Sequence, residues 1–167
     1  DGIDWHERAR ALKVRGEAVI GGERVAAASG ATFPCLSPID GRQLALVAAG
    51  DTPDIDRAVA AARAAFERGD WSGQAPAARK RVLQKLAGLI EAATEELALL
   101  ETLDMGKPIS DALQVDVPAT ARCIRWYAEA IDKIYGEIAP TAPTALALIT
   151  REPVGVVGAI VPWNFPM

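Results

Sequence analysis

The stretch Val154 to Val161, VGVVGAIV, is apolar at every position and runs straight into Pro162-Trp163-Asn164-Phe165-Pro166. A strand without polar alternation is suited to burial on both faces, the situation of a central strand in a parallel sheet. Parallel strands need crossover units to join them, and a sheet of this kind needs several. Only one such strand is visible, at the very end of the 167 residues. The expectation is therefore a doubly wound α/β domain that begins where this sequence stops.

The residues before it alternate between two periods. Ala18–Ile20 and Arg24–Ala26 flank Gly21-Gly22-Glu23 and predict a hairpin. A further strand is predicted over Leu44–Ala48, after the turn signal Pro38-Ile39-Asp40-Gly41. Thr52 as N-cap and Pro53 at the first helical position open a helix with Ile55, Val59, Ala62 and Phe66 on one face, stopped by Gly69. A second helix is predicted from Pro76 to Ala93, with Val82, Leu86 and Leu89 on one face. A third is capped by Thr94 and ends at Gly106-Lys107-Pro108. A fourth spans Asp111–Tyr135 with a kink or break at Pro118. Pro140 and Pro143 mark a connector, and TALALIT (144–150) suits an exposed or interface strand.

Several chemistries are disfavoured. The net charge of −4 and scattered basic residues argue against a nucleic-acid partner. The cluster Arg79-Lys80-Arg81 reads as a solvated helix face. No apolar run reaches the length of a membrane span, and the charged start does not read as a signal peptide, so a cytoplasmic location is the default. His6, the one histidine, reads as a surface side chain, which leaves no Ser-His or Cys-His pair. Cys35 and Cys123 are far apart and lack companion ligands for a transition metal; Cys123 reads as a small buried side chain. Asp104 lies at the negative end of a helix dipole, which calls for a cation or a backbone donor unless it simply caps the next turn. Asn164 follows the end of the apolar strand, where α/β sheets bind ligands. A preorganised amide there can donate to an oxyanion, although on chemistry alone a plain turn residue is the more ordinary use of Asn.

EPVGVVGAIVPWNFP resembles the start of the cofactor-binding domain of the NAD(P)-dependent aldehyde dehydrogenases. IGGERVAAASGATFPCLSPIDG, LALLETLDMGKPI and IRWYAEAIDKIYGE are similar to further segments of that family, so the resemblance covers nearly the whole sequence. FERGDWS, LALLETLDMGKP and RWYAEAIDKIYGE are most similar to the branch acting on γ-glutamyl-γ-aminobutyraldehyde and related amino- or guanidino-aldehydes. The resemblance implies a role for Asn164 as oxyanion donor and a cofactor wall of Ile160, Val161, Pro162, Trp163 and Asn164 for NAD or NADP. It also implies a substrate-tunnel carboxylate at Asp116, unless that side chain is simply solvated, and a structural Na+ or K+ held by Asp104 with the Leu36 backbone. The second acid that aminoaldehyde-oxidising members often carry three positions later is replaced by Ala119.

The family's nucleophilic cysteine and general-base glutamate match no residue here, so the resemblance implies an N-terminal piece of a longer enzyme, and the 167 residues alone are expected to be inactive. The expected organisation is 1–139, a hairpin and helical part of the cofactor-binding domain; 140–153, a connector and oligomerisation strand; and 154–167, the first strand of the Rossmann-like sheet and its turn. The full-length protein is expected to be a homodimer or homotetramer that oxidises an aldehyde in polyamine or amino-acid catabolism. Two other readings are a truncated non-enzymatic homologue acting as an association subunit, and a small nucleotide-binding protein. The second is weak because no G-x-G-x-x-G occurs.

Overall fold

The computed structural model describes residues 2–167. It consists of three two-stranded antiparallel hairpins arranged around a helical body. In chain order the elements are α1 (Trp5–Ala11), β1 (Ala18–Ile20), β2 (Glu23–Val25), β3 (Thr32–Leu36), β4 (Gln43–Ala48), α2 (Thr52–Arg68), α3 (Pro76–Ala92), α4 (Thr94–Met105), a single turn α5 (Ile109–Asp111), a π-helical turn Ala112–Asp116, α6 (Val117–Ala130), a 3-10 turn Ile131–Lys133, β5 (Glu137–Ala139) and β6 (Ala147–Ile149).

The first hairpin is tighter than the sequence suggested. Ile20 pairs with Glu23, so only Gly21 and Gly22 form the turn, with φ of 63° and 87°. Two successive positive φ values match the twist of a hairpin and are open to glycine at little cost. The β3 partner of β4 was not expected. Pro34 lies within it and is tolerated because this sheet has only two strands. A bulge between Cys35 and Leu36 shifts the register at the end of the pair.

The N-cap of α2 lies one residue earlier than predicted, so Thr52 is already helical. Asp51 is the N-cap and forms a capping box with Asp54. Asp54 is buried, and its carboxylate also accepts from the backbone N–H of Ala28 at 3.0 and 3.1 Å, tying α2 to the segment after β2. Thr94 does not cap α4; Ala93 holds that position, and the Thr94 hydroxyl donates back to the Glu91 carbonyl at 2.6 Å. Helix α4 is covered on several sides, with Ala98, Leu99, Glu101 and Leu103 buried.

The predicted break near Pro118 takes a specific form. The five residues before α6 widen into a π turn, and Val117 and Pro118 begin the new helix. Pro118 has no N–H to give, and the wider turn removes the need for that bond. Ala98, Ala112 and Val117 form the centre of the core, with Ile90, Leu97, Ile109 and Leu113 packed around them. The most extensive helix contact is α3 against α6. Ala87, Ala121 and Ala128 are fully buried, small enough for close approach of the helices.

Four further expectations are corrected. Arg79 and Lys80 are not a solvated face: both are half-buried, and Lys80 pairs with Glu129 at 2.5 Å and Asp132 at 3.4 Å on the α6 side. Cys123 is exposed rather than buried, because α6 turns Ala121 and Ala128 toward α3 instead. TALALIT forms a strand only over Ala147–Ile149, and it pairs with the unanticipated β5. The expected strand over Val154–Val161 is not formed: among the described residues no neighbouring strand lies alongside it to accept its backbone hydrogen bonds.

Candidate active-site segment

The stiff turn expected after the apolar run is present. Trp163 and Asn164 form a turn and Phe165 a bend, bounded by Pro162 and Pro166. Asn164 is exposed, as are Ile160, Val161, Pro162 and Trp163; Ile160 is fully exposed and Trp163 81 % so. An uncovered apolar wall therefore lies next to one amide side chain. Pro166 and Met167 border an apolar cavity of about 250 Å³ whose other walls include Val14, Leu44, Leu97 and Leu100. The end of the turn thus rests on the α4 side of the body.

Phe165 leads to the rest of the site. The Lys107 ammonium lies 4.4 Å from the centroid of its ring. Lys107 follows α4 in the turn opened by Gly106, which caps the helix at φ 79°. Its Nζ is 3.1 Å from Glu101 Oε1 and 2.6 Å from Asp116 Oδ2. Glu101 comes from α4 and Asp116 from the end of the π turn, and their side chains are 1 % and 8 % exposed. Glu101 Oε2 has no hydrogen-bond partner. Burial pushes the Glu101 carboxyl above its usual range; Lys107 opposes this, and the Asp116 charge adds to it. The folded state therefore holds that proton more tightly than the unfolded chain. This group costs stability at neutral pH, and the cost is relieved as pH falls toward the ordinary carboxylate range. Burial pulls the Lys107 ammonium down, but the two carboxylates win and hold it above its usual value.

Asp116 is thus neither a solvated helix-face carboxylate nor a free charge. It is buried and its charge is committed to Lys107. The sequence reading missed the residue that joins Asp116 to the Asn164 turn. Its signal was present in Gly106-Lys107-Pro108, a lysine placed between a helix stop and a proline, but that triplet also reads as a simple end of helix.

Asp104 and the Leu36 region do meet. The Cys35 thiol, beside Leu36 at the β3 bulge, donates to Asp104 Oδ1 at 3.1 Å. That hydrogen bond, then partial burial and the carboxylate's charge, raise the thiol above its usual value and keep it protonated. Among the described residues no group of three or more His, Cys, Asp or Glu is arranged to hold a metal ion, and no helix is long and apolar enough to cross a membrane. His6 is exposed on α1, as expected.

The proline-bounded turn and the helical body that carries it fall within a stretch that matches a known family. The aldehyde dehydrogenase family model covers residues 25–167, and this chain belongs to that family. It is 58 % identical over 163 residues to the NADP/NAD-dependent aldehyde dehydrogenase PuuC of Escherichia coli K12, covering 98 % of this chain and 33 % of that protein. Among solved structures, it is 61 % identical to the P. syringae AldA indole-3-acetaldehyde dehydrogenase, determined with NAD+ and IAA. That match has a TM-score of 0.95 and covers 98 % of this chain and 33 % of the other. It is 54 % identical to the γ-glutamyl-γ-aminobutyraldehyde dehydrogenase of Burkholderia cenocepacia J2315, with a TM-score of 0.95 and coverage of 97 % and 33 %. The chain therefore has the fold of the N-terminal part of these enzymes and spans about a third of their length.

Proposed function

We propose that the full-length protein oxidises an aldehyde to its carboxylic acid with NAD+ or NADP+. These 167 residues supply the oxyanion donor and part of the cofactor wall. The observation that carries the reading is the Asn164 amide in its proline-bounded turn, next to exposed Ile160, Val161 and Trp163, in a chain of this family. A cysteine thiolate from beyond residue 167 adds to the aldehyde carbon, and the Asn164 amide donates to the oxygen that becomes negative. When bound, NAD(P)+ supplies the hydride acceptor, and the exposed apolar wall suits the flat face of such a ring. Water activated by a glutamate, also from beyond residue 167, then releases the acid from the thioester. On this reading residues 1–167 alone are inactive. The exposed apolar side chains of the β5–β6 hairpin, Ile138, Leu148 and Ile149, support association through that hairpin into a dimer or tetramer.

The substrate class proposed is an aldehyde with an amino, guanidino or γ-glutamylamino tail, supported by the likeness to the B. cenocepacia enzyme. A second reading, an arylacetaldehyde, is favoured by the higher identity to the P. syringae enzyme. Turnover of an ω-amino-aldehyde, an uncharged aldehyde of equal length and indole-3-acetaldehyde separates them. The first should have the highest kcat/KM, and a preference for the indole compound overturns the amino-aldehyde reading. Asp116 takes part here as the partner of Lys107. Asp116→Asn should therefore lower kcat/KM for charged and uncharged aldehydes by the same fraction, whereas a loss confined to the charged substrate makes Asp116 a reader of its tail.

A monovalent cation at Asp104 and the Leu36 carbonyl is also proposed. Support comes from the closeness of the β3 bulge to Asp104 and from an oxygen donor set with a single charge. Replacing Na+ or K+ by a bulky organic cation should lower the melting temperature of the full-length protein and leave that of Asp104→Asn unaffected. Equal behaviour of the two proteins rules the site out.

A further inference from the structure

An oxyanion donor is useful only if its direction is fixed before the reaction. Asn164 is exposed and lies in a segment with no strand pairing, so the flanking prolines stiffen its turn but no sheet anchors that turn to the body. We propose that Lys107 is a positioning residue: its ammonium, gripped by Glu101 and Asp116, clamps the ring of Phe165 and thereby fixes the neighbouring Asn164 amide. This inference rests on the oxyanion reading of Asn164 given above.

The geometry has three parts. The first is the grip. Two buried carboxylates face one ammonium at 3.1 and 2.6 Å, so the local charge favours keeping Lys107 in place. The Lys107 side chain is only 14 % exposed, which removes much of the water that would compete for it. The second part is the clamp. An ammonium 4.4 Å from a ring centroid is within the range of attraction to the ring's negative face, and that attraction grows when the cation is desolvated. The third is the transmission. Phe165 adjoins Asn164, and Pro162 and Pro166 restrict the backbone on either side. Fixing one ring in so short and stiff a turn leaves the adjacent amide few orientations.

The scaffold behind the clamp is itself unusual. Gly106 is left-handed, and a Cβ there would lie 3.1 Å from Pro38 Cγ, so the stem of Lys107 departs from α4 along a path suited to glycine. Asp116 is delivered by the π turn, a device frequent at functional sites. A network that merely joined α4 to α6 would need no aromatic ring from the chain's last turn.

The test uses the full-length enzyme and reads the pre-steady-state burst. Phe165→Leu removes the ring face and leaves the ion cluster intact. The triple variant Lys107→Met, Glu101→Gln, Asp116→Asn removes the ammonium without stranding a buried carboxylate. Lys107→Arg keeps a cation over the ring. Phe165→Leu and the triple variant should each slow the burst by about tenfold, with KM changed less than about twofold. Their combination should lose no more than either alone, and Lys107→Arg should retain most of the rate. In an Asn164→Ala background neither change should slow the burst further.

Additive losses, a loss that persists without Asn164, or a lowered melting temperature with an unchanged burst would each overturn the clamp. If Asn164→Ala alone leaves the burst unchanged, the oxyanion reading fails and the clamp has nothing to aim. If Asn164→Ala slows the burst but Lys107 and Phe165 are uncoupled, the clamp fails and the oxyanion reading stands.

Discussion

Replacing Asn164 by alanine in the full-length protein is expected to slow the chemical step by about 10²–10³-fold, roughly 2.7–4 kcal/mol, the usual loss for one oxyanion-hole donor. The expectation follows from where the amide sits. It is the one amide side chain in the segment from Pro162 to Pro166, and its sequence neighbours Ile160, Val161 and Trp163 are exposed apolar side chains. Because the donor acts mainly on the charged transition state, kcat and kcat/KM should fall together, with substrate affinity little changed. Single-turnover kinetics with a saturating aldehyde check this directly. A burst of normal rate and amplitude would mean that Asn164 is an ordinary turn residue.

The isolated 1–167 polypeptide should not fold cooperatively. Val154, Val157, Ile160, Val161, Trp163 and Phe165 are all more than half exposed. Elsewhere, Val82, Leu86 and Leu89 on α3 and Ile55 and Val59 on α2 are exposed as well, although they form the apolar stripes of their helices. Those stripes have the spacing of buried faces but no partner within these residues. An unpaired apolar segment with free backbone groups is also a template for edge-to-edge association. Purified 1–167 should therefore elute as aggregate, or bind hydrophobic dye and lack a sharp melting transition. A monomer with a single cooperative thermal transition would contradict this.

Much of the body was legible because its signals are local. Pro53, Gly69, Pro76 and Gly106 punctuate helices by backbone chemistry alone, and α2, α3 and α4 lie within one or two residues of expectation. The Asn164 turn was legible for the same reason, since two prolines stiffen it whatever surrounds them. Burial was much less legible. Cys123 and the Arg79–Lys80 pair were assigned to the wrong environments, because an amphipathic pattern defines a face and not what covers it. Strand β3 escaped notice since Pro34 interrupts its pattern, and β5 because three residues carry too little periodicity.

The sequence by itself determined the helices, the glycine turns and the proline-bounded amide. It also carried enough of the family's segments to indicate the chemistry. Only the tertiary structure decided that Glu101, Lys107 and Asp116 form one cluster and that this cluster meets Phe165. The reason is physical. Helix caps and turn signals act within a few residues, whereas the charge state and partner of a buried acid depend on groups brought together from distant turns. In the sequence Asp116 could be a solvated or a tunnel carboxylate, and the fold instead buries it at the end of the π turn, 2.6 Å from Lys107.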